Sequence, residues 1–185
     1  MSKLQKWQIG ATAFCLVIGT LLHFTYELSG GNTFVAAFSA VNESTWEHLK
    51  LVFYPTFIFL IIEYFFIGKS TNNYSIAKTT AIIFEMSFIT IFFYTYTGII
   101  GTNYAFLDIS SFVVAIIAGE YIAYKIMQKP QIKNNAIKIL AIIISILLLI
   151  AFIIATYNPP MINLFKDPVT GGYEINKISL KPLHL

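Results

Sequence analysis

Residues 136–157 read AIKILAIIISILLLIAFIIATY, a run of isoleucine, leucine and alanine with one lysine near its start. As a helix it is long enough to cross the roughly 30 Å hydrocarbon core of a bilayer. It has no polar face to turn to water, so a soluble fold would have to enclose it on every side. Four further apolar runs, at about 7–28, 45–68, 76–100 and 104–127, make the same demand. The 185 residues are 57% hydrophobic and only 11% charged, against about 25% charged in a soluble domain. Five such runs cannot be covered by so little polar surface, and lipid removes the need to cover them. Backbone polar groups in hydrocarbon must be satisfied within their own segment, so the runs are helices. The predicted fold class is all-α: a polytopic membrane protein with five transmembrane helices.

The connections set the orientation. Lys3 and Lys6 precede the first run, Lys69 and Lys78 bound the second turn, and Lys125, Lys129, Lys133 and Lys138 surround a turn at Pro130. The first connection holds only Lys50, and the Gly101-Thr102-Asn103 turn holds no lysine. By the positive-inside rule the amino terminus is cytoplasmic, and five crossings leave the carboxyl tail outside a multi-pass plasma-membrane protein. The first run is retained as a span, because no small-residue cleavage site follows it closely and it carries His23 and Glu27. Residues 33–41 are apolar but too short to cross, which predicts a re-entrant or interfacial segment after the first span.

Ser44-Thr45-Trp46-Glu47 has the form of a capping box, with the Ser44 hydroxyl on the Glu47 amide and the Glu47 side chain reaching back to Ser44. Trp46 then serves as an interfacial anchor, and Pro55 marks a kink in the second span. The chain divides into a membrane domain, 1–158, and an extracytoplasmic tail, 159–185, that packs as a cap. The tail has turn chemistry at Asp167-Pro168 and Thr170-Gly171-Gly172, and a small strand is predicted after Gly172. The net charge of +3 comes from 12 lysines with no arginine. They are scattered between apolar runs and form no basic face, so nucleic acid is not a predicted partner. The one cysteine, Cys15, lies inside an apolar run and reads as a small buried hydrophobe.

Ionisable groups within spans are costly and usually face a cavity or a partner. His23, Glu27, Glu43, Glu47, His48 and Asp108 all fall in the outer third of the predicted bundle, with Tyr26, Tyr54, Tyr94, Tyr96 and Tyr104 at comparable depth. His23 and Glu27 are four apart and share a helix face, as do Glu43 and Glu47. Together they predict an outward-facing pocket lined by His23, Glu27, Glu47, His48 and Asp108, with Glu43 and Lys50 at its rim and Tyr54 beside it. Glu85 falls near mid-membrane, and Glu63 and Glu120 nearer the cytoplasm. Ser87, Thr90, Tyr94 and Thr97 form a stripe at spacings of three and four, which reads first as a packing face whose hydroxyls bond the preceding turn.

Three chemistries compete for the outer cluster. Two histidines and several carboxylates suit a divalent metal on His23, Glu47 and His48, although tight ligand spacings such as H-E-x-x-H are missing. Binding or translocation of a small polar ligand or cation is the leading expectation, proton-coupled through Glu85 and further in through Glu63 or Glu120. Bis-histidine haem on His23 and His48 is the weakest, given the density of carboxylates. Against all three stands a simpler account for each residue taken singly: solvated interface acids, Glu47 as a cap, His23 satisfied by Glu27, and His184 solvated in the tail.

The segments HFTYELSGGN, VAAFSAVNESTWEHLKLVFYP and PPMINLFKDPVTGGYEI resemble a family of small prokaryotic integral membrane proteins known only as a domain of unknown function. The resemblance spans essentially the whole chain, with NESTWEHLK its most specific part. It implies a compact helical membrane fold and a tail that belongs to it, and it brings no activity, cofactor or catalytic residue. The functional expectation is therefore an outward-facing His/carboxylate pocket that binds or translocates a small polar ligand or cation. The alternatives are a membrane-embedded metal-dependent hydrolase or transferase and an accessory membrane subunit. The lipid bilayer is the expected partner, and a chain with so few spans leaves room for a homodimer or a partner membrane subunit.

Overall fold

The structure is a computed structural model that describes residues 1–175. The described residues form six α-helices: α1 Lys3–Leu28, α2 Thr33–Ala36, α3 Thr45–Phe66, α4 Tyr74–Ile100, α5 Ala105–Met127 and α6 Asn135–Tyr157. Two single 3-10 turns follow α3 and α6, at Gly68–Ser70 and Asn163–Phe165. All but α2 are long and apolar enough to cross a membrane. The all-helical, five-span architecture is the one expected, and the described residues contain no strand. The strand predicted after Gly172 is absent through residue 175. The rest of that segment, and His184, lie outside the described residues.

Helices α1, α3, α4 and α5 pack in a closed ring, each against two of the others, and α6 lies outside it against α4. The sequence dictates this division. The most apolar stretch of α6 has a mean hydropathy of 3.2, against 1.6 to 1.7 for the others, so α6 can face lipid almost all round. Its seam with α4 is made by small residues: Thr79 Oγ1 donates to the Ala141 carbonyl at 3.0 Å and lies 2.9 Å from Ser145 Oγ. Inside the ring α1 and α3 meet closely at Gly19, where an added Cβ would fall 2.3 Å from the Leu51 carbonyl oxygen. At the amino-terminal end, buried Asn73 starts α4 in a left-handed conformation, φ 56°. Its side chain donates to the Ile126 and Pro130 carbonyls and accepts from the Ile132 amide, which ties the α3–α4 turn to the α5–α6 turn.

The short apolar segment after α1 is held by side chains of α3. Asn32 Oδ1 caps α2 at the Phe34 amide, 2.9 Å. At its other end the chain leaves carbonyls that a buried segment must pair. Lys50 Nζ donates to the Ala36 and Ser39 carbonyls at 2.9 and 3.2 Å, and Tyr54 Oη donates to the Ala37 carbonyl at 2.7 Å. Lys50, expected at the pocket rim, is instead fully buried, because three acceptors are available only inside. Tyr54→Phe strands the Ala37 carbonyl, and a loss of about 1–3 kcal/mol is expected. The check is the midpoint of thermal unfolding in detergent; an unchanged midpoint refutes this role for Tyr54.

One further expectation needs correction. The Ser44 hydroxyl does accept from the Glu47 amide, at 3.3 Å, but the Glu47 side chain does not return to Ser44. It accepts from the Val41 amide at 3.1 Å and pairs with Lys50, a stronger partner than a backbone amide. The half-buried Trp46 packs its ring against Phe152 of α6 and Phe165 of the tail, with centroids 4.5 and 4.7 Å away. Beyond α6 the chain turns on Asp167, whose amide donates to the Gly172 carbonyl at 2.9 Å, and Asn42 Nδ2 donates to the Glu174 carbonyl at 3.2 Å.

Candidate functional site

At the end of the bundle that carries α2 and the tail, a cavity of about 510 Å³ opens between α1, α3, α4 and α5. His23 from α1, Glu43 from the loop before α3, His48 from α3 and Asp108 from α5 all line it. The helices explain the convergence. His23 lies one turn beyond Gly19, where α1 and α3 touch. His48 lies about one turn before Leu51 on the facing helix, so the two imidazoles meet with ring centroids 5.2 Å apart. Glu43 precedes the helix cap Ser44 and reaches His48 from outside, with its Oε2 3.4 Å from His48 Nε2.

The hydrogen bonds fix which atoms are free. His48 Nδ1 lies 3.0 Å from the Ser44 carbonyl. A carbonyl only accepts, so Nδ1 carries the proton and Nε2 of the neutral ring is left as a lone-pair nitrogen facing Glu43. His23 Nδ1 is buried and has no hydrogen-bond partner among the described residues. One ligand atom from each of His23, Glu43 and His48 lies within 4.8 Å of the others. Across the cavity Asp108 is held by Tyr96 Oη on Oδ1 and by Asn103 Nδ2 on Oδ2 at 3.4 Å. Tyr96 Oη in turn accepts from the Tyr104 amide at 3.2 Å.

Of the residues expected at the pocket, His23, Glu43, His48 and Asp108 are thus brought together. Glu27 is exposed and lies outside the lining. Glu47 is turned to Lys50 and Tyr54 to the Ala37 carbonyl, so the carboxylate beside the two imidazoles is Glu43. The cavity floor is apolar, formed by Leu51, Ile89 and Phe112 around Gly19. In the α4 stripe, Thr90 and Thr97 donate to the Met86 and Phe93 carbonyls of the preceding turn, as a packing face does.

A second polar group lies below that floor. One helical turn deeper, about 6 Å, Cys15 Sγ lies 3.5 Å from Thr56 Oγ1, which donates to Glu85 Oε2 at 3.0 Å. Two turns deeper again, Lys78 Nζ meets Glu120 Oε2 at 2.6 Å, Glu63 Oε2 at 2.9 Å and Gln8 Oε1 at 3.3 Å. Gln8 Nε2 returns a hydrogen bond to Glu63 Oε1, and Tyr74 Oη donates to Glu63 Oε2 at 3.3 Å. Lys78, Glu63 and Glu85 are fully buried and Glu120 is 1% exposed. Glu85 Oε1 and Glu120 Oε1 have no hydrogen-bond partner among the described residues. Glu85 is therefore not part of the outer pocket. Lys78, read from sequence as a turn residue, stands one turn inside α4 as the counter-charge of two acids from neighbouring helices. Lys78 and Gln8 are the functional-looking residues that reading by position missed.

The model of a family described as a family of unknown function, DUF6512, matches residues 1–175, so the chain belongs to that family. No curated protein and no solved structure matches the chain.

Proposed function

We propose that this member of DUF6512 is a multi-pass membrane protein that binds a small cation in a pocket open to the extracytoplasmic side, with its amino terminus in the cytoplasm. The observation that carries the proposal is the meeting of His23, Glu43, His48 and Asp108, from four separate segments, in one cavity. Two carboxylates and two imidazoles offer lone pairs, and no lysine stands among the described lining residues. The orientation is supported by exposed Lys3, Lys6, Lys69, Lys125, Lys129 and Lys133 at the opposite end. The described part of the tail, 159–175, then serves as an outer cap: Pro168 and Val169 border the cavity.

The test is thermal unfolding of the detergent-purified chain with Zn²⁺, Mn²⁺, Mg²⁺, tetramethylammonium and spermidine as probes. A ligand at a hundred times its Kd stabilises by about 2.7 kcal/mol, a shift of several degrees for a protein this size. At least one probe is expected to shift the wild type, and the shift is expected to vanish in His23→Ala/His48→Ala/Asp108→Asn. Indifference of the wild type to every probe sinks the proposal. Translocation is a further step, since Leu51, Ile89 and Phe112 stand between the pocket and Glu85. Its test is flux into vesicles that Glu85→Gln abolishes. A hydrolase or transferase at the outer leaflet would use the same outer residues around a bound metal.

A further inference from the structure

We infer that the cation is a transition-metal dication of the zinc type, held directly by His23, Glu43 and His48; this rests on the pocket proposed above. Three features select that class over an alkali ion, magnesium, calcium or an organic ammonium.

The first is donor type. Imidazole nitrogen binds zinc, copper, iron and nickel, whereas magnesium and calcium require oxygen ligands throughout. The pocket presents two imidazoles and one carboxylate whose ligand atoms all lie within 4.8 Å. The second is spacing. Ligands about 2.0–2.1 Å from a tetrahedral ion stand roughly 3.4 Å apart, and His48 Nε2 is 3.4 Å from Glu43 Oε2. The third is the outer shell. A metal-bound histidine almost always gives its other N–H to a carbonyl or carboxylate, which fixes the tautomer and aims the ring. His48 does this through Nδ1 and the Ser44 carbonyl, at 3.0 Å. Independently, His23 Nδ1 is buried without a partner among the described residues, a cost of about 1–3 kcal/mol that a structure seldom carries without a use.

Three protein ligands leave a fourth position for water or for Asp108, which lines the same cavity and is already oriented by Tyr96 and Asn103. Glu43 and the His48 edge are partly exposed, so the ion has a path in from the aqueous side.

The experiment is equilibrium dialysis and calorimetric titration of Zn²⁺ into chelator-stripped, detergent-purified full-length protein. One zinc per chain is expected, with Mg²⁺ and Ca²⁺ failing to compete at a hundredfold excess. His48→Ala and Glu43→Gln should each weaken binding by at least the roughly 10–100-fold that loss of a mere outer-shell partner produces. Glu27→Gln, on an exposed face outside the lining, should leave it unchanged. Glu43 is exposed, so Glu43→Gln reports on the site even if His48→Ala does not fold. Absence of zinc binding, or binding equal in wild type and Glu43→Gln, overturns the inference. If zinc fails while tetramethylammonium or spermidine still stabilises the wild type, the metal assignment falls and the cation pocket stands. If every probe fails, both fall.

Discussion

Lys78→Met is expected to destabilise the bundle by about 3–5 kcal/mol, the cost of removing one partner from a buried ion pair and leaving the other bare. Lys78 is fully buried and bridges Glu63 of α3 and Glu120 of α5 from its place in α4. The methionine fills much of the same volume, so the loss is electrostatic rather than a cavity effect. Exposed Lys3→Met should by contrast stay within about 0.5 kcal/mol of wild type. Two measurements separate this account from simple misfolding: thermal unfolding in detergent, and the same for Lys78→Met/Glu63→Gln/Glu120→Gln. Taking the acids away together with the lysine should restore most of the lost stability, since replacing a whole buried ionic group is often neutral or better. A Lys78→Met midpoint matching that of Lys3→Met would mean the network carries no weight.

The second large effect is expected at Gly19. A methyl group there would sit 2.3 Å from the Leu51 carbonyl oxygen and 2.8 Å from the Phe112 ring. A backbone oxygen in a helix cannot step aside, so α1 must move away from α3. Gly19→Ala should cost about 1–3 kcal/mol or more, as overpacking does. His23 stands one turn further along the displaced helix, so separation from His48 should lower zinc affinity in parallel. Gly10→Ala is the matched control, because its Cβ would meet nothing closer than 3.9 Å, and the added helix propensity is worth about 0.5–1 kcal/mol in its favour. Equal stability and equal zinc affinity for the two variants would falsify the close-approach account.

The spans were legible because length and hydropathy suffice to recognise a helix in lipid, and their bounds shift by only a few residues in the structure. His23 and His48 were legible too: equal depth on antiparallel neighbours brings side chains together whatever their exact rotation. Rotation about the helix axis is what sequence conveyed poorly. Glu43 and Glu47 sit four apart, and the expectation put Glu47 in the lining and Glu43 at the rim; Lys50 at the i+3 position draws Glu47 inward and leaves Glu43 beside the imidazoles. Lys78 reads as a turn residue because it closes the lysine-bounded segment after the second span, although it falls inside the apolar run from 76 and one turn into α4, which starts at Tyr74. A signal was available: Glu63, Glu85 and Glu120 lie in three spans and call for a cation, and Lys78 shares a helix face with Glu85 at a spacing of seven. That Trp46 also packs under Phe165 depends on the path of the tail, which no local pattern conveys.

The seat of Glu85 has a bearing on how the protein is made. Its Oε1 lies so near Gly119 that an added Cβ would fall 2.4 Å away, which means that α5 forms one wall of the chamber enclosing a carboxyl group at the middle of α4. The ribosome delivers α4 first, and a carboxyl at mid-bilayer facing lipid costs a few kcal/mol. The two helices, joined by the short turn at residues 101–104, therefore suit entry as a hairpin. A nascent chain halted between them would offer quality-control proteases a poorly seated segment.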